Sequence, residues 1–474
     1  MAETALWTIE DVIAATRGEL RGSPRLPING VSIDSRKIAP SDIFVAIKGD
    51  RLDGHQFATA ALEAGTALAV VSRPTPEMAS AGALLVVPEP LRALENLGRW
   101  ARRRSAAQIV AITGSVGKTS TKETLKLALS GSGKTHASPA SFNNQWGVPL
   151  SLARMPADSA YAVFEIGMNH AGEIAALVEM VRPHIAVITT IAPSHLGYFH
   201  SLEEIADAKA EIFLGVEEGG SAVINRDTPF FDRLAGAAGR AGLGRIVGFG
   251  HHRDAEVRIE RLVLHPECSC ITAQIIDEMV TYKLGVPGEH MALNSLAVLA
   301  AVKLAGADLA RASLALATAQ PAKGRGVRTR LKAADGMLTL IDESYNANPV
   351  SVCAALKLLA HTAPGKRGRR IAVLGDMLEL GEEGPALHAG LAEAVEASQV
   401  DVLYASGPLM AHLWERIPPD RRGAYADTSE GLTKPLLDAL GAGDVVMVKG
   451  SLGSRMGPVV EAVQARFQPA DKDN

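Results

Sequence analysis

The chain has 474 residues, 47% hydrophobic and 21% charged, with a formal net charge of −4. That length exceeds one ordinary core and points to about three domains, while the composition excludes a disordered chain and a general nucleic-acid binder. Three cysteines (Cys268, Cys270, Cys353) are too few for a disulfide framework or a tetrahedral zinc site, and read as structural thiols of a reducing compartment.

The N-terminal segment is acidic and amphipathic, without the basic start and apolar centre of a signal peptide. No apolar run reaches the roughly 20 residues needed to span a bilayer. The expectation is therefore a cytoplasmic protein with no membrane span. Residues 1–104 mix short strands, among them Ile43 to Ile47 and Leu84 to Val87, with a helix from about Leu91 to Arg104. This predicts a small mixed α/β domain. Arg102, Arg103 and Arg104 suit the negative end of that helix dipole and read as a solvated cap.

Across 105–327 the pattern changes. Gln108 to Thr113 is a continuous apolar run, followed by a glycine loop and a helix beginning near Lys118. Tyr161 to Phe164, Ile185 to Thr190 and Ala222 to Ile224 are further buried-strand candidates. Strands alternating with helices predict a mainly parallel sheet covered on both faces. Lys323 to Arg328, glycine-rich and basic, is the linker candidate. From 328 to 474 the alternation resumes at Leu338 to Ile341, Ile371 to Leu374, Val402 to Ala405 and Val445 to Val448, a Rossmann-like unit. The tail from Pro469 to Asn474 is expected to fray.

The strongest motif is Thr113-Gly-Ser-Val-Gly-Lys-Thr-Ser120, between a strand and a helix. Its glycines, Gly114 and Gly117, let the backbone N–H groups of the loop, Ser115 and Val116 included, turn toward phosphate oxygens at a helix N-terminus. Lys118 would neutralise the β- and γ-phosphates, and the Thr119 hydroxyl, followed by Ser120, would meet Mg²⁺. Ile112 stands where the commoner pattern has its first glycine, so this is a shorter loop. Glu165 and His195 follow apolar strands, where open α/β sheets bind ligands, but a lone Glu or His there is often only a surface group. Lys209 lies on a helix, and taken alone reads as a salt-bridged surface lysine.

Taken together, these motifs resemble the Mur ligases, in order from Val31 to about Met456. The glycine loop resembles that family's P-loop. Phe164 to Met168, Ser194 to Leu196, Ala208 to Ile212 and Gly288 to Asn294 resemble its later central blocks. The resemblance implies that Glu165 and His195 hold Mg²⁺ with Thr119, and that Lys209 is carbamylated to approach a second Mg²⁺. It places Asn294 near the adenosine, and brings Arg325 to the phosphates from the domain junction.

The outer segments resemble those of the branch that adds D-alanyl-D-alanine. Ile341 to Pro349 and Val373 to Gly381 carry that likeness. It implies Asp342 or Glu343 beside ATP, and Tyr345, Asn346, Asn348, Lys449 and Arg455 on the D-alanyl-D-alanine side. Glu343 stands where the family usually has Asp, and the choice between Asp342 and Glu343 stays open. Leu452 stands where many relatives have an arginine, for which Arg455 could substitute. Ser35, Arg36, Lys48, Asp53 and His55 resemble uridine-diphosphate-binding segments, and Asn143 and Asn144 a loop facing the acceptor peptide.

The implied activity is an ATP-dependent ligase joining D-alanyl-D-alanine to UDP-N-acetylmuramoyl-tripeptide through an acyl phosphate, with ATP and two Mg²⁺ ions, as a monomer. The implied architecture is α/β in three domains: a mixed N-terminal domain (1–104), a central P-loop ATPase domain (105–327) and a C-terminal Rossmann-like domain (328–474). The rivals are a diamino-acid-adding Mur ligase, a folylpolyglutamate synthetase-like ligase and, from another class, a P-loop nucleotide switch. The switch leaves the first domain and the Asn143-Asn144 loop unexplained.

Overall fold

Strand Gln108–Thr113 lies inside a nine-stranded sheet, and its side chains alternate between two cores. Val110 and Ile112 enter one core, Ile109 and Ala111 the other. Burial on both faces is why this strand reads as a continuous apolar run rather than an alternating one. The computed structural model describes residues 5–469, arranged as three sheets with helices packed against them. Residues 470–474, most of the expected frayed tail, lie outside that range. Pro469 is described and forms an isolated antiparallel bridge to Leu331, so this first tail residue is tied down.

The first sheet has five strands, in the order Glu19–Arg21, Leu84–Val86, Leu68–Val71, Asp42–Val45, Gly30–Ser32. Only the pairing of the first two is antiparallel. Helix Pro90–Arg104 closes one face, burying Leu94, Leu97 and Ala101. Its basic end differs from expectation. Arg102 is 7% exposed, donates to the carbonyls of Val181 and Arg182, and pairs with Glu217 at 3.0 Å. Arg104 lies over the Trp7 ring and donates to the Leu6 carbonyl. Charge placement on the helix suggested a solvated cap, but these guanidiniums satisfy carbonyls of distant segments.

In the central sheet, the strands from Thr135–Ala137 across to Val257–Leu264 run parallel. An antiparallel extension, Ser269–Ile275 and Glu278–Leu284, then widens one side. Cys268 and Cys270 lie at its start, and all three cysteines are free. Helix Glu289–Leu304 buries every residue from Ser295 to Val302 against this sheet, as a helix does when covered on all sides.

The third sheet runs Val327–Ala333, Gly336–Glu343, Val445–Lys449, Arg370–Gly375, Val402–Ser406, Arg422–Ala426. Its first two strands form an antiparallel hairpin and the others are parallel. The expected linker is thus only partly a loop, because Val327 and Arg328 open the hairpin. Among the described residues, no helix is long and apolar enough to cross a membrane.

Candidate active site at facing sheet edges

The carboxyl ends of parallel strands place polar residues at one rim of each sheet. At the central rim lie the glycine loop after Thr113, Glu165 closing its strand, Thr189, and Asn225 closing another. At the rim of the third sheet lie Glu343 and Lys449, each the last residue of its strand. The two rims face one cavity of about 750 Å³. Ser115 to Ser120, Asn143, Asn144, Glu165, His195 and Asn294 line it on one side. On the other are Arg325, Glu343, Tyr345, Asn346, Asn348 and Lys449.

The loop's glycines are required sterically. Gly114 has φ +144°, and an added Cβ would lie 2.0 Å from Thr189 Oγ1. Gly117 has φ +88°, and its Cβ would meet Asn294 Nδ2 at 2.6 Å, so the structure does bring Asn294 to the loop. Thr189 Oγ1 donates to Val116 O at 2.6 Å, and Ser115 Oγ donates to Ala192 O at 2.9 Å. Lys118 curls back and donates to Gly114 O at 2.6 Å. Burial lowers its pKa, partly opposed by the Glu165 carboxylate. Glu165 is 1% exposed and accepts from Thr119 Oγ1 at 2.8 Å and from Asn143 Nδ2 at 2.7 Å.

His195 has φ +60°, and its Nδ1 lies 2.7 Å from Glu379 Oε2 of the third sheet's loop. Burial and the charge of Lys118 lower the imidazole pKa against the opposing pull of Glu379. Lys209 contradicts its surface reading. It is 2% exposed on helix Leu202–Ala210, and no ion pair holds its ammonium among the described residues. Burial first, then the Lys118 charge, push its pKa well below the usual lysine range.

Glu165 and Thr119 offer adjacent oxygens of the kind a hard cation takes, and His195 adds a nitrogen. Among the described residues, no group of three or more His, Cys, Asp or Glu assembles as a metal site. A complete ligand set therefore needs Lys209 converted to an anion, or oxygens brought by substrate.

On the facing wall the Arg325 guanidinium stacks 4.3 Å over the Tyr345 ring. Lys449 donates to Asn346 O at 2.9 Å and lies 3.4 Å from Glu343 Oε2. Burial lowers its pKa, opposed by Glu343. The structure separates the two acidic candidates. Asp342 caps its own turn, accepting from Ser344 N and Oγ at 3.1 and 2.6 Å, whereas Glu343 reaches the cavity.

Several other candidates line the cavity while their side chains serve local structure. Asn348 caps helix Pro349–Ala360, Asn346 Oδ1 accepts from Ala347 N, and Asn144 accepts from Trp146 N and Gly147 N. Arg455 is exposed and absent from the cavity lining, so it does not replace an arginine at Leu452. One helical turn of separation offered that substitution, but Arg455 ends a 3₁₀ turn at φ +55°, with its carbonyl fixed by Ser429 Oγ.

A second, smaller cavity opens at the rim of the first sheet, lined by Lys48, His55, Ser72, Arg73 and Glu89. His55 Nδ1 lies 2.7 Å from Asp53 Oδ1, and its Nε2 accepts from Ser72 N at 3.0 Å, which fixes the tautomer. Asp53 also pairs with Arg73. Ser35 and Arg36 are not part of this lining; Arg36 is solvated and held by Asp34 at 2.9 Å.

Sequence reasoning missed Ser72 and Arg73, although polar residues directly after the apolar run Leu68–Val71 are the same strand-end signal that exposed Glu165. It also missed His290, which lines the main cavity, and Lys122. Lys122 is fully buried and donates to Ser138 O and Ala140 O. A lysine in an amphipathic helix gives no sign of such burial.

Three family matches tile the chain: "Mur ligase family, catalytic domain" over residues 27–104, "Mur ligase middle domain" over 112–302, and "Mur ligase, glutamate ligase domain" over 327–452. The UDP-N-acetylmuramoyl-tripeptide--D-alanyl-D-alanine ligase of Escherichia coli is 34% identical, covering 96% of this chain and 98% of its own length. The enzyme of the same name from Rickettsia prowazekii is 30% identical over 97% of this chain and all of its own. Among solved structures, MurF from Acinetobacter baumannii superposes with a TM-score of 0.83 at 29% identity, covering 97% and 99% of the two chains. MurF ligase from Thermotoga maritima, in complex with ADP, gives 0.75 at 26% identity, covering 93% and 98%. A folylpolyglutamate synthase from Mycobacterium tuberculosis shares the fold alone, with a TM-score of 0.61 at 20% identity. The chain belongs to the Mur ligase family, as one of its UDP-N-acetylmuramoyl-tripeptide--D-alanyl-D-alanine ligases.

Proposed function

We propose that this ligase holds ATP at the glycine loop, converts the terminal carboxylate of UDP-N-acetylmuramoyl-tripeptide into an acyl phosphate, and lets D-alanyl-D-alanine displace phosphate. The observation that carries this reading is the pair of facing rims, with Lys118 on one and Glu343 and Lys449 on the other. A carboxylate alone is a poor acylating agent because oxide would have to leave. Transfer of the γ-phosphoryl group gives it phosphate as leaving group. The amine of D-alanyl-D-alanine then attacks the acyl carbon, and loss of phosphate leaves the amide of the pentapeptide.

Two anions meet in the first step. Lys118 and Arg325 supply the cations that suppress their repulsion, from positions fixed before reaction. Thr119, Glu165 and His195 would hold Mg²⁺, whose chemistry is to neutralise phosphate oxygens as charge moves between them. Lys209 supports a carbamate: burial favours its neutral amine, whose nitrogen can bond to the carbon of carbon dioxide and release a proton. The product is an anion, which suits a site beside Lys118 better than a second ammonium does. Asn294 lies where an adenosine leaving the loop would pass. Asn143, bonded to Glu165, ties the acceptor loop to the same carboxylate.

The second cavity is read as the uridine-diphosphate site, with Lys48 and Arg73 beside the phosphates and His55 held by Asp53. The expected division at 104/105 falls between the first two sheets, the one at 327/328 falls one residue inside the third sheet's hairpin, and closure about Lys323 to Arg328 would shield the acyl phosphate from water. The same reading takes the protein as a cytoplasmic monomer.

The test is incubation with ATP, UDP-N-acetylmuramoyl-tripeptide and either D-alanyl-D-alanine or a free diamino acid, with mass spectrometry of products. Pentapeptide and ADP only with D-alanyl-D-alanine is the expected result. Phosphate release independent of both peptide substrates would favour a nucleotide switch instead.

A further inference from the structure

The loop after strand Arg370–Gly375 reaches across the main cavity and touches the central domain at one place. Glu379 Oε2 lies 2.7 Å from His195 Nδ1, a charge contact whose angle leaves that buried nitrogen without a hydrogen bond, and the Glu379 carbonyl accepts from Gly197 N at 3.0 Å. Gly381 and Gly197 pack so closely that a Cβ on Gly381 would lie 3.1 Å from Gly197 Cα. Both partners of the side-chain pair are non-glycine residues in the left-handed region, His195 at φ +60° and Glu379 at φ +64°. Two such residues meeting face to face is a costly arrangement that persists only where surrounding structure enforces it.

That structure is present on the Glu379 side. Met377 and Leu380 are buried anchors flanking Leu378 and Glu379. Met377 N donates to His388 Nε2 at 2.9 Å, Leu378 N donates to Ser451 Oγ at 2.9 Å, and Met410 N donates to Asp376 Oδ1 at 2.8 Å. The loop is therefore a rigid part of the third sheet's rim. Glu379 itself is left with 45% of its side chain exposed and, among the described residues, with no basic partner besides His195.

We propose that Glu379 is a positioning residue that orients His195 from the C-terminal domain, so that the nucleotide rim is complete only when the two domains are docked. A histidine that works through one ring nitrogen is commonly aimed by a carboxylate on the other. Here that carboxylate belongs to a different domain, which makes imidazole orientation a reporter of domain position. The proposal rests on the ligase reading for the role of His195, but not for the docking contact.

The experiment uses the full chain with Glu379→Ala, Glu379→Gln, His195→Ala and the double alanine variant. Wild-type pentapeptide formation checks the ligase reading first, and its absence sinks that reading without touching the docking test. Small-angle scattering of ligand-free protein should show a larger radius of gyration for Glu379→Ala than for wild type, with an unchanged thermal midpoint. In turnover, Glu379→Ala should lower kcat about tenfold with little change in KM for the uridine substrate. Glu379→Gln, which keeps the side chain's length and an oxygen beside Nδ1, should recover most of it. In the His195→Ala background the Glu379 effect on kcat should vanish. An equal loss in both backgrounds, or identical scattering for Glu379→Ala and wild type, overturns the proposal. Should Glu379→Ala fail to fold, Glu379→Asn, which tolerates the left-handed backbone but is too short to reach the ring, gives the same comparison in the two backgrounds.

Discussion

The two walls of the main cavity are built on different principles. On the central wall Thr119 and Glu165 are buried and bonded to each other, Asn143 supports them, and Lys118 is folded against its own loop. The C-terminal wall combines the buried Lys449 with side chains that have little to cover them: Leu452 at 67%, Val350 at 44% and Leu378 at 39% exposure. A wall that stabilises moving phosphate charge gains most when its dipoles are fixed beforehand, out of water. A wall that receives a small dipeptide with two methyl groups can leave apolar surface open until substrate covers it. On the proposed function, preorganised charge and unfilled apolar surface mark the chemical and the recruiting sides of one cleft.

The largest break in that comparison is Lys118→Ala. Loss of kcat by roughly 10²–10³-fold is expected from removing a fixed cation facing the transferred phosphoryl group. Steady-state ADP release measures it, and near-wild-type turnover would remove the central wall from the chemistry.

Next is the split between adjacent acids on the other wall. Glu343→Gln should reduce kcat/KM about tenfold, because Lys449 then loses the one carboxylate that pairs with it among the described residues. Asp342→Asn should instead cost about 1 kcal/mol of stability through its turn, read in a denaturant titration. If the two variants exchange these phenotypes, the assignment of Glu343 to the cavity is wrong.

The sheet behind the central wall also carries a pH signature. His136 is half-buried, its ring 5.9 Å from that of Phe164 and its Nε2 2.8 Å from the Ser151 carbonyl, and desolvation lowers its pKa from 6.5 to about 4. The unfolded chain therefore binds the extra proton between those values, and stability falls as pH drops from about 6.5 through 4. The loss is on the order of 2 kcal/mol. His136→Gln should flatten that part of the pH–stability curve, and an unchanged slope would show that His136 is not its source.

The smallest effect belongs to the apolar surface. Leu452→Ala should raise KM for D-alanyl-D-alanine about three- to tenfold with kcat preserved, measured by initial rates. No change in KM would leave that surface without a substrate role.

The sequence determined what local rules encode. Apolar runs and their glycine punctuation placed the strands they identified within a residue or two but left Leu68–Val71, Arg245–Gly250 and Val257–Leu264 unnamed, and Thr113 to Ser120 announced a phosphate loop whose glycines the folded chain needs at positive φ. Strand-end logic found Glu165 because a carboxylate directly after Tyr161 to Phe164 has to project at the rim. Tertiary structure alone decided the rest. Asp342 and Glu343 are neighbours with identical chemistry in sequence, and only the turn at Ser344 takes one away from the cavity. Lys209, Lys122 and Arg102 look like solvated cations on helices, yet all three are buried, because burial depends on which distant segment lands on them. The meeting of His195 with Glu379 joins residues far apart in the chain, and no periodicity encodes a contact between two sheet rims. Local conformation follows from a residue and its neighbours within one or two turns, whereas burial, pairing and charge state are properties of the assembled interior.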